Sequence, residues 1–202
     1  MSTSSAAELG HGPYVVMNDV TLCHGDLSAS AIQPEHIEAV RQWRNSQMGV
    51  LRQSREITES MQRSYFETHV WPEKKLKDPG KILLIVEEAD VLIGYGGLVH
   101  INWDYRRAEI SFLLNPERAA TDEASAPVFS VFLHIVERLA FECLGLERLS
   151  TETYATRIPY IAALERHGFL CEGRLRSHVQ IDGQAVDALL HGRLKHEVAT
   201  SK

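Results

Sequence analysis

Residues 159–194 of this chain read PYIAALERHGFLCEGRLRSHVQIDGQAVDALLHGRL. The apolar residues of the first part recur at helical spacing, and Gly168 is a typical residue to follow the end of a helix. Asp182-Gly183 then separates two strand-like stretches, and this dipeptide is a strong signal for a two-residue hairpin loop. The stretch therefore predicts a short helix followed by an antiparallel hairpin, over residues 159–167, 169–181 and 184–194.

The predicted hairpin brings titratable side chains together across its two strands. With a two-residue loop at 182–183, His178 would face Asp187. Arg174 would face His191 in the same register. A His–Asp pair can act as a base with an orienting partner, or it can bind an acceptor. The alternative is a polar ladder that is solvated or covered by a helix.

The rest of the chain alternates between helical and strand patterns. Pro34 suits the first turn of one helix, and Thr58 is a good N-cap for the next. Gly94, Gly96 and Gly97 interrupt a long strand, which indicates a bulge or the close approach of another backbone. The predicted elements are strands at 14–22, 81–87, 91–102, 107–114 and 148–154, and helices at 33–46, 58–70 and 127–144. This order predicts an α/β domain with a mixed, mostly antiparallel central sheet and helices on both faces.

Composition and length fit one globular domain. The chain has 202 residues, of which 44% are hydrophobic and 24% are charged, and these are ordinary values for a globular protein. We expect a single domain over residues 13–196, with tails at 1–12 and 197–202. The net charge of −6 argues against a nucleic-acid partner, because phosphate binding usually needs a basic face.

Cysteine usage and the N-terminus bear on the compartment. The three cysteines are too few and too scattered for a disulfide framework, so we expect reduced, mostly buried thiols; they are Cys23, Cys143 and Cys171. The first twelve residues lack the basic and apolar regions of a signal peptide. No uninterrupted apolar run approaches the ~20 residues of a membrane helix. These features favour a cytoplasmic protein without a membrane partner.

Four local sequences carry a family resemblance. Residues 163–169, ALERHGF, resemble the LYEKxGF end of the fourth helix of GNAT acetyltransferases. The segment 173–176, GRLR, with the loop at 182–183, resembles the closing hairpin of GNAT members that acetylate ribosomal-protein N-termini and amino sugars. Residues 92–98, LIGYGGL, resemble the xxIGxxxL strand, and 43–45, WRN, followed by Arg52, resembles a signature of nucleotide-amino-sugar acetyltransferases. In this order and spacing they resemble one family, the GNAT superfamily.

The resemblance implies acetyl-CoA as co-substrate and a site for its thioester. In the family, donors to the thioester come from a splayed strand, which is here Ser111, Phe112, Leu113 and Leu114. Glu109 occupies the position where the related subgroup often carries a base, and a partly buried carboxylate suits that role. The alternative for Glu109 is a salt bridge to Arg106, Arg107 or another basic residue.

Two departures from the family pattern concern the cofactor. The family's Q/R-x-x-G-x-G/A pyrophosphate loop is absent, because residues 115–126, NPERAATDEASA, contain no glycine. Asp122 and Glu123 would oppose an anion at that helix start, where a phosphate normally benefits from the N-terminal dipole. Leu164 replaces a frequent acid tyrosine, and Arg157 replaces the usual asparagine. Arg157 is therefore expected to contact a phosphate in place of a backbone nest.

The resemblance implies that the first two helices border the acceptor side. Arginine suits a bidentate phosphate contact, such as the diphosphate of a nucleotide sugar. For the helical residues the alternative is helix packing and capping, and for His100 it is a satisfied strand-end histidine. The predicted acceptor-binding residues are Arg44, Asn45, Arg52, His100, Tyr154 and His178.

These features together predict an N-acetyltransferase that acts on a small amine. The preferred acceptor is an amino sugar or a nucleotide-linked amino sugar, and a protein N-terminus is the second choice. A rival from another class is a GNAT-fold binding module that no longer binds acetyl-CoA. A homodimer is left open. Ten histidines invite a metal, but no HxxxH or HExxH spacing lies on a predicted helix, so no metal is expected.

Overall fold

A single eight-stranded sheet organises the molecule. The computed structural model describes residues 10–18, 21–51 and 53–198. The strands lie in the order β1-β2-β3-β4-β5-β6-β8-β7. Only β5 and β6 are parallel neighbours, and the other neighbouring pairs are antiparallel. The strands are β1 Leu22–His24, β2 Leu27–Ala31, β3 Ile82–Glu88, β4 Val91–Asn102, β5 Arg107–Leu114, β6 Arg148–Tyr154, β7 Leu170–Ile181 and β8 Gln184–Leu194. The predicted mixed sheet is confirmed.

Helices cover both faces of this sheet. They are α1 Ile37–Ser46, α2 Glu59–His69, α3 Asp122–Glu137, α4 Ile158–Arg166 and α5 Lys195–Val198, and α3 continues as a π-helix over Arg138–Cys143. Alternate residues of β3 enter different cores, since Leu84 packs with α3 and α4 whereas Leu83 packs with α1 and α2. This alternation is that of a strand buried on both faces.

The N-terminal prediction of one strand over residues 14–22 is wrong. Val15–Met17 forms a 3₁₀ turn, and Asn18 takes a left-handed φ of 49°. The first strand begins at Leu22 and returns through a Gly25-Asp26 loop, in which Gly25 has φ 56°. In the sequence, the apolar residues 14–16 favour a strand, whereas Gly25-Asp26 is the turn signal for the hairpin that forms.

The long helix starts earlier than predicted. Thr121 caps it by accepting a hydrogen bond from the Ala124 N–H at 3.2 Å, so the helix begins at Asp122 rather than at Pro127. Acidic residues in a first turn are stabilised by the helix dipole, and Pro127 is tolerated inside the helix.

The prediction of mostly buried thiols is also wrong, because all three cysteines are exposed.

The helical segment Asp122–Cys143 has the length and hydropathy of a membrane span, but 61% of its apolar window is buried within the protein. Phe132, Leu133 and Val136 are fully buried in the core formed with the sheet. In this fold the segment is the central helix of a core.

The predicted close approach at the strand glycines is confirmed. A Cβ at Gly96 would overlap the Ser111 carbonyl oxygen, and a Cβ at Gly97 would overlap that of Ile82. Gly97 also has φ 129°, which L side chains rarely adopt. These glycines let β4 lie tightly between β3 and β5, next to the strand on which the candidate site is built.

A buried lysine joins the N-terminal segment to the domain. Lys74 is fully buried, and its ammonium donates to the carbonyl oxygens of Gly10, Gly12 and Ile32 at 2.6, 2.8 and 2.5 Å. It also lies 5.0 Å from the ring centroid of Trp71. Burial lowers the pKa of Lys74 to about 8, and the three carbonyl acceptors favour the charged form.

Candidate active site

The two parallel strands separate after a short pairing. β5 and β6 pair from Arg107 opposite Arg148 to Glu109 opposite Ser150, and no pairing of these strands is described beyond that point. A cavity of about 230 Å³ lies where they diverge. It is lined by both strands, α3, α4, and the segments around α1 and β4: Arg44, Val50, Leu51, Val99, His100, Glu109, Ile110, Ser111, Phe112, Phe129, Thr151, Glu152, Thr153, Tyr154, Arg157 and Tyr160.

The cavity brings together most of the residues predicted from sequence. Those that line it are Arg44, His100, Glu109, Ser111, Phe112, Tyr154 and Arg157. Leu113 and Leu114 instead point into the two cores. Asn45 and His178 do not line the cavity, and Arg52 lies outside the described residues.

Backbone donors of β5 face the gap. The Asn115 N–H donates to the Ile93 carbonyl at 2.7 Å, on the β4 side. Because backbone groups alternate along a strand, the N–H groups of Phe112 and Leu114 point away from β4, towards the gap. The Leu114 carbonyl, on that same side, accepts a 2.8 Å hydrogen bond from the Gln47 side chain. An acyl oxygen held in the gap would find amide donors on its β5 side.

One arginine from α1 reaches this cavity. Arg44 donates to the Tyr95 hydroxyl at 2.8 Å and to Gln53 Oε1 at 3.1 Å. Among the described residues it forms no ion pair with a carboxylate, so both its partners are neutral and its positive charge is available to an anionic group.

Asn45 has a structural role in the residues described. Its side-chain amide donates to the Ile57 carbonyl, and its Oδ1 accepts from the Ile57 N–H, both at 2.9 Å. Gln53 also donates to Oδ1 at 3.0 Å. Asn45 therefore ties α1 to the segment before α2, which is the packing alternative raised for this motif.

His100 lines the cavity because β4 is irregular at that point. The pairing with β5 shifts between Val99 and Asn102, and His100 has φ 51°. A non-glycine residue with this backbone is uncommon and typical of bulges and functional positions.

Two carboxylates line the cavity. Glu109 lies at the last paired position of β5, where the strands begin to diverge. Glu152 comes from β6, and its Oε1 is 3.5 Å from His178 Nε2. Both groups can attract an amine or take a proton from it.

The predicted pairing of the closing hairpin is wrong in the part of the hairpin that is farther from the loop at 182–183. The two-residue loop is present, with Ile181 opposite Gln184, but the register shifts between Leu175 and Val179. Ser177 has φ 51° at this bulge, so Arg174 lies opposite Leu189 instead of His191. His178 consequently turns towards Glu152 of β6.

Asp187 has partners other than His178. It accepts from Arg174 and from the Ser177 N–H, both at 2.8 Å. Arg174 holds the pKa of Asp187 below its usual value, with the Ser177 hydrogen bond adding to the effect. The predicted His–Asp pair is therefore replaced by an Arg–Asp pair, and His191 is fully buried away from the cavity lining.

The loop that leads into α3 uses several of its own amides. The N–H of Glu117 donates to Asn115 Oδ1, and those of Arg118 and Ala119 donate to the Asn115 carbonyl, at 2.9 to 3.0 Å. These amides are satisfied by the loop itself. These three N–H groups are therefore not free to converge on an anion, as the amides of a glycine loop would be.

Arg157 is engaged at this end of the cavity. Its guanidinium donates to Asp122 at 2.8 Å and lies 3.8 Å from the Tyr160 ring centroid. The predicted phosphate contact would have to compete with Asp122.

Sequence analysis missed several cavity residues. Glu152 and Tyr160 were not singled out, nor were the two threonines of β6 and Phe129. A signal for Tyr160 was present, because it lies three residues after Arg157 and thus on the same face of the first turn of α4. The sequence gives no such signal for Glu152, because its approach to His178 depends on the bulge in β7.

The site thus combines a gap between two parallel strands with amide donors and a carboxylate at its opening. A family model described as an acetyltransferase (GNAT) domain matches residues 30–190, so the chain belongs to the GNAT acetyltransferase family. The predicted superfamily and fold are confirmed.

Comparisons with individual proteins agree with this assignment. The "uncharacterized N-acetyltransferase p20" of Bacillus licheniformis is 29% identical over 116 residues, which are 57% of this chain and 62% of that protein. The match thus spans less than two thirds of that curated relative.

Two solved structures share the fold. Spermidine N-acetyltransferase from Vibrio cholerae, solved with CoA and spermine, superposes with a TM-score of 0.75 at 19% identity, covering 87% of this chain and 99% of that one. A dodecameric structure of the same enzyme gives 0.74 at 18% identity, with 89% and 100% covered. At these identities the likeness concerns the fold.

Proposed function

We propose that this protein is an acetyl-CoA-dependent N-acetyltransferase acting on a small amine. The observation that carries the proposal is the cavity between the diverging strands β5 and β6, with Glu109 at the point of divergence and the Phe112 N–H facing the gap. Family membership and the predicted co-substrate agree with it.

The proposed reaction is direct transfer. The deprotonated amine nitrogen attacks the carbonyl carbon of the thioester, and the amide donors of β5 stabilise the oxygen charge that develops. Glu109 takes the amine proton, directly or through water. The carbon–sulfur bond then breaks, and the leaving thiolate takes a proton from solvent or from Tyr160, which lines the same cavity. No acetyl-enzyme is required, since none of the three cysteines lines the cavity.

The proposed acceptor is an amino sugar or a nucleotide-linked amino sugar. Arg44 supports it, because its guanidinium lines the cavity with only neutral partners among the described residues and suits a phosphate or another anionic group on the acceptor. Tyr154 and His100 supply further polar groups to the lining. A protein N-terminus is the second acceptor in this class.

A polyamine is a second candidate, favoured by one specific observation. Glu109 and Glu152 both line the cavity and would attract a polycationic amine. A thiol-release screen with acetyl-CoA against amino sugars, spermidine and N-terminal peptides separates these acceptors. We expect the largest kcat/KM for an amino sugar; higher turnover of spermidine would replace that acceptor with a polyamine.

Binding of acetyl-CoA separates an enzyme from a non-catalytic module of the same fold. At about 100 times its dissociation constant, acetyl-CoA should add ~2.7 kcal/mol of stability. A thermal-shift titration measures this directly. No shift at millimolar acetyl-CoA would favour the binding module, for which the glycine-free loop at 115–126 is the supporting feature.

Replacing Asp122 with Asn should tighten acetyl-CoA binding. The change removes a negative charge from the start of α3 and releases Arg157 from its ion pair, so that Arg157 can contact a phosphate. We expect the dissociation constant to fall about fivefold, corresponding to ~1 kcal/mol. Calorimetry of the two proteins measures it.

Glu123→Gln is the matched control for Asp122→Asn. Glu123 belongs to the same first turn, but Arg157 is not its partner. An equal effect of both substitutions would show that only local charge matters and that Arg157 does not reach the phosphates. Weaker binding by Asp122→Asn would contradict the expected competition altogether.

A homodimer stays a prediction from sequence, as do the domain limits and the cytoplasmic location. Light scattering on the purified protein would check the first of these.

A further inference from the structure

A cluster of histidines lies at the far end of the two helices that border the cavity. The ring centroids of His134 and His167 are 4.3 Å apart, and those of His24 and His134 are 4.2 Å apart. Phe129 of α3 contacts Tyr160 of α4 at the cavity end. His134 of α3 contacts His167 at the other end, which lies about 8 Å further along α3 and about 10 Å further along α4 by the rise of a helix.

A carboxylate completes this cluster. Glu137 lies one helical turn after His134, and its Oε2 is 2.9 Å from His167 Nε2. One ligand atom each of His134, Glu137 and His167 lies within 4.8 Å of the others. Two nitrogen atoms and one carboxylate oxygen are a donor set found in zinc sites that keep an open position.

The enclosed atoms of the cluster are poorly satisfied by the protein itself. The side chains of Glu137 and His167 are only 8% and 7% exposed. His167 Nε2 nevertheless makes no hydrogen bond of good geometry within the described residues, despite its short distance to Glu137. Buried polar atoms in native proteins are normally bonded, so such an atom points to a missing partner.

A helix end and a buried arginine adjoin the cluster. His167 is the C-cap of α4, where free carbonyl groups give a partial negative charge that favours a cation. The Nε of Arg193 lies 2.5 Å from Glu137 Oε1 and leaves Oε2 on the histidine side.

We propose that His134, Glu137 and His167 form a binding site for a divalent transition metal of the Zn²⁺ type. The metal would take the place of the proton between His167 Nε2 and Glu137 Oε2, and His134 would approach from the solvent side. Ligand atoms in a tetrahedral zinc site are about 3.3 Å apart, so the exposed His134 side chain has to move inward. Water can occupy the fourth position.

This site lies outside the proposed acetyl-transfer cavity. None of its three residues lines that cavity. Its role would be to hold the ends of α3 and α4 together, and metal binding would then stabilise the fold. The three residues form no local sequence motif, because His134 and Glu137 lie on α3 whereas His167 follows α4.

The test is metal binding by the untagged protein, measured by calorimetry with Zn²⁺ and by Co²⁺ absorption. We expect one metal ion per chain, an EDTA-reversible rise in Tm, and a tetrahedral Co²⁺ spectrum. His134→Ala should weaken binding by at least about tenfold. Because His134 is exposed, this variant should fold, and His134→Gln provides a second, less drastic change.

The matched control is His69→Ala, an exposed histidine on α2 that stacks on Tyr65. It should bind Zn²⁺ like the unchanged protein. Absence of binding at about 100 μM Zn²⁺, or equal loss of affinity in the His69 and His134 variants, would overturn the proposal. Because these measurements do not involve acetyl-CoA binding, the proposed metal site can be disproved while the proposed function still holds.

Discussion

Glu109→Gln is expected to lower kcat by about 100-fold or more, with little change in the KM for acetyl-CoA. Glutamine keeps the shape of the side chain but cannot accept the amine proton. The carboxylate lies at the last paired position of β5, where the strands open into the cavity. Steady-state kinetics at several pH values measure the effect.

The matched variant is Glu152→Gln, in the second carboxylate of the same cavity. If Glu152 only attracts the acceptor or holds His178, its loss should raise the acceptor KM more than it lowers kcat. The reverse result, with a larger fall in kcat for Glu152→Gln, would indicate that Glu152 of β6 is the base instead of Glu109. Unchanged turnover of Glu109→Gln across pH would remove Glu109 from the mechanism.

The sheet was predictable from sequence because its signals are local. The bounds of β4, β5, β6 and β8 agree with the predicted strands. The role of the β4 glycines was also predicted correctly, because a residue without a Cβ lets the neighbouring strands approach closely. The spacing of apolar residues and the residues typical of turns therefore suffice to predict a strand where that strand is regular.

The errors arise where a single residue changes the backbone direction. Ser177 adopts a left-handed conformation and shifts the outer pairing of the closing hairpin. No sequence rule requires that conformation at a serine, so every pairing beyond it was predicted wrongly. The approach of His178 to Glu152 could not be predicted for the same reason.

The candidate site was predictable as a set of positions but not as a set of interactions. The family resemblance assigned the base to Glu109 and a phosphate contact to Arg157, and both residues line the cavity, while the two roles stay predictions. The ion pair of Arg157 with Asp122 joins residues 35 positions apart. Such long-range contacts depend on how α3 and α4 pack, which local patterns do not specify.

The second large effect is expected from Lys74→Met, which should lower the free energy of unfolding by about 3 kcal/mol or more. Methionine fills the space of the aliphatic stem but has no ammonium, so the change isolates the polar head. The buried carbonyl oxygens of Gly10 and Ile32 then lose this donor, whereas the Gly12 carbonyl keeps the side-chain amide of Gln33 at 3.2 Å. Each unsatisfied buried acceptor costs about 1–3 kcal/mol, less where water reaches it.

Lys75→Met is the matched control, because Lys75 is the next residue and is exposed. Its unfolding free energy should stay within about 0.5 kcal/mol of wild type. For a chain of this size, the loss at Lys74 corresponds to a Tm lower by roughly 6–12 °C. Denaturant and thermal unfolding of both variants measure the difference. If the two variants unfold alike, the three hydrogen bonds of Lys74 do not hold the N-terminal segment, and aromatic packing against Trp71 and Tyr14 must do so instead.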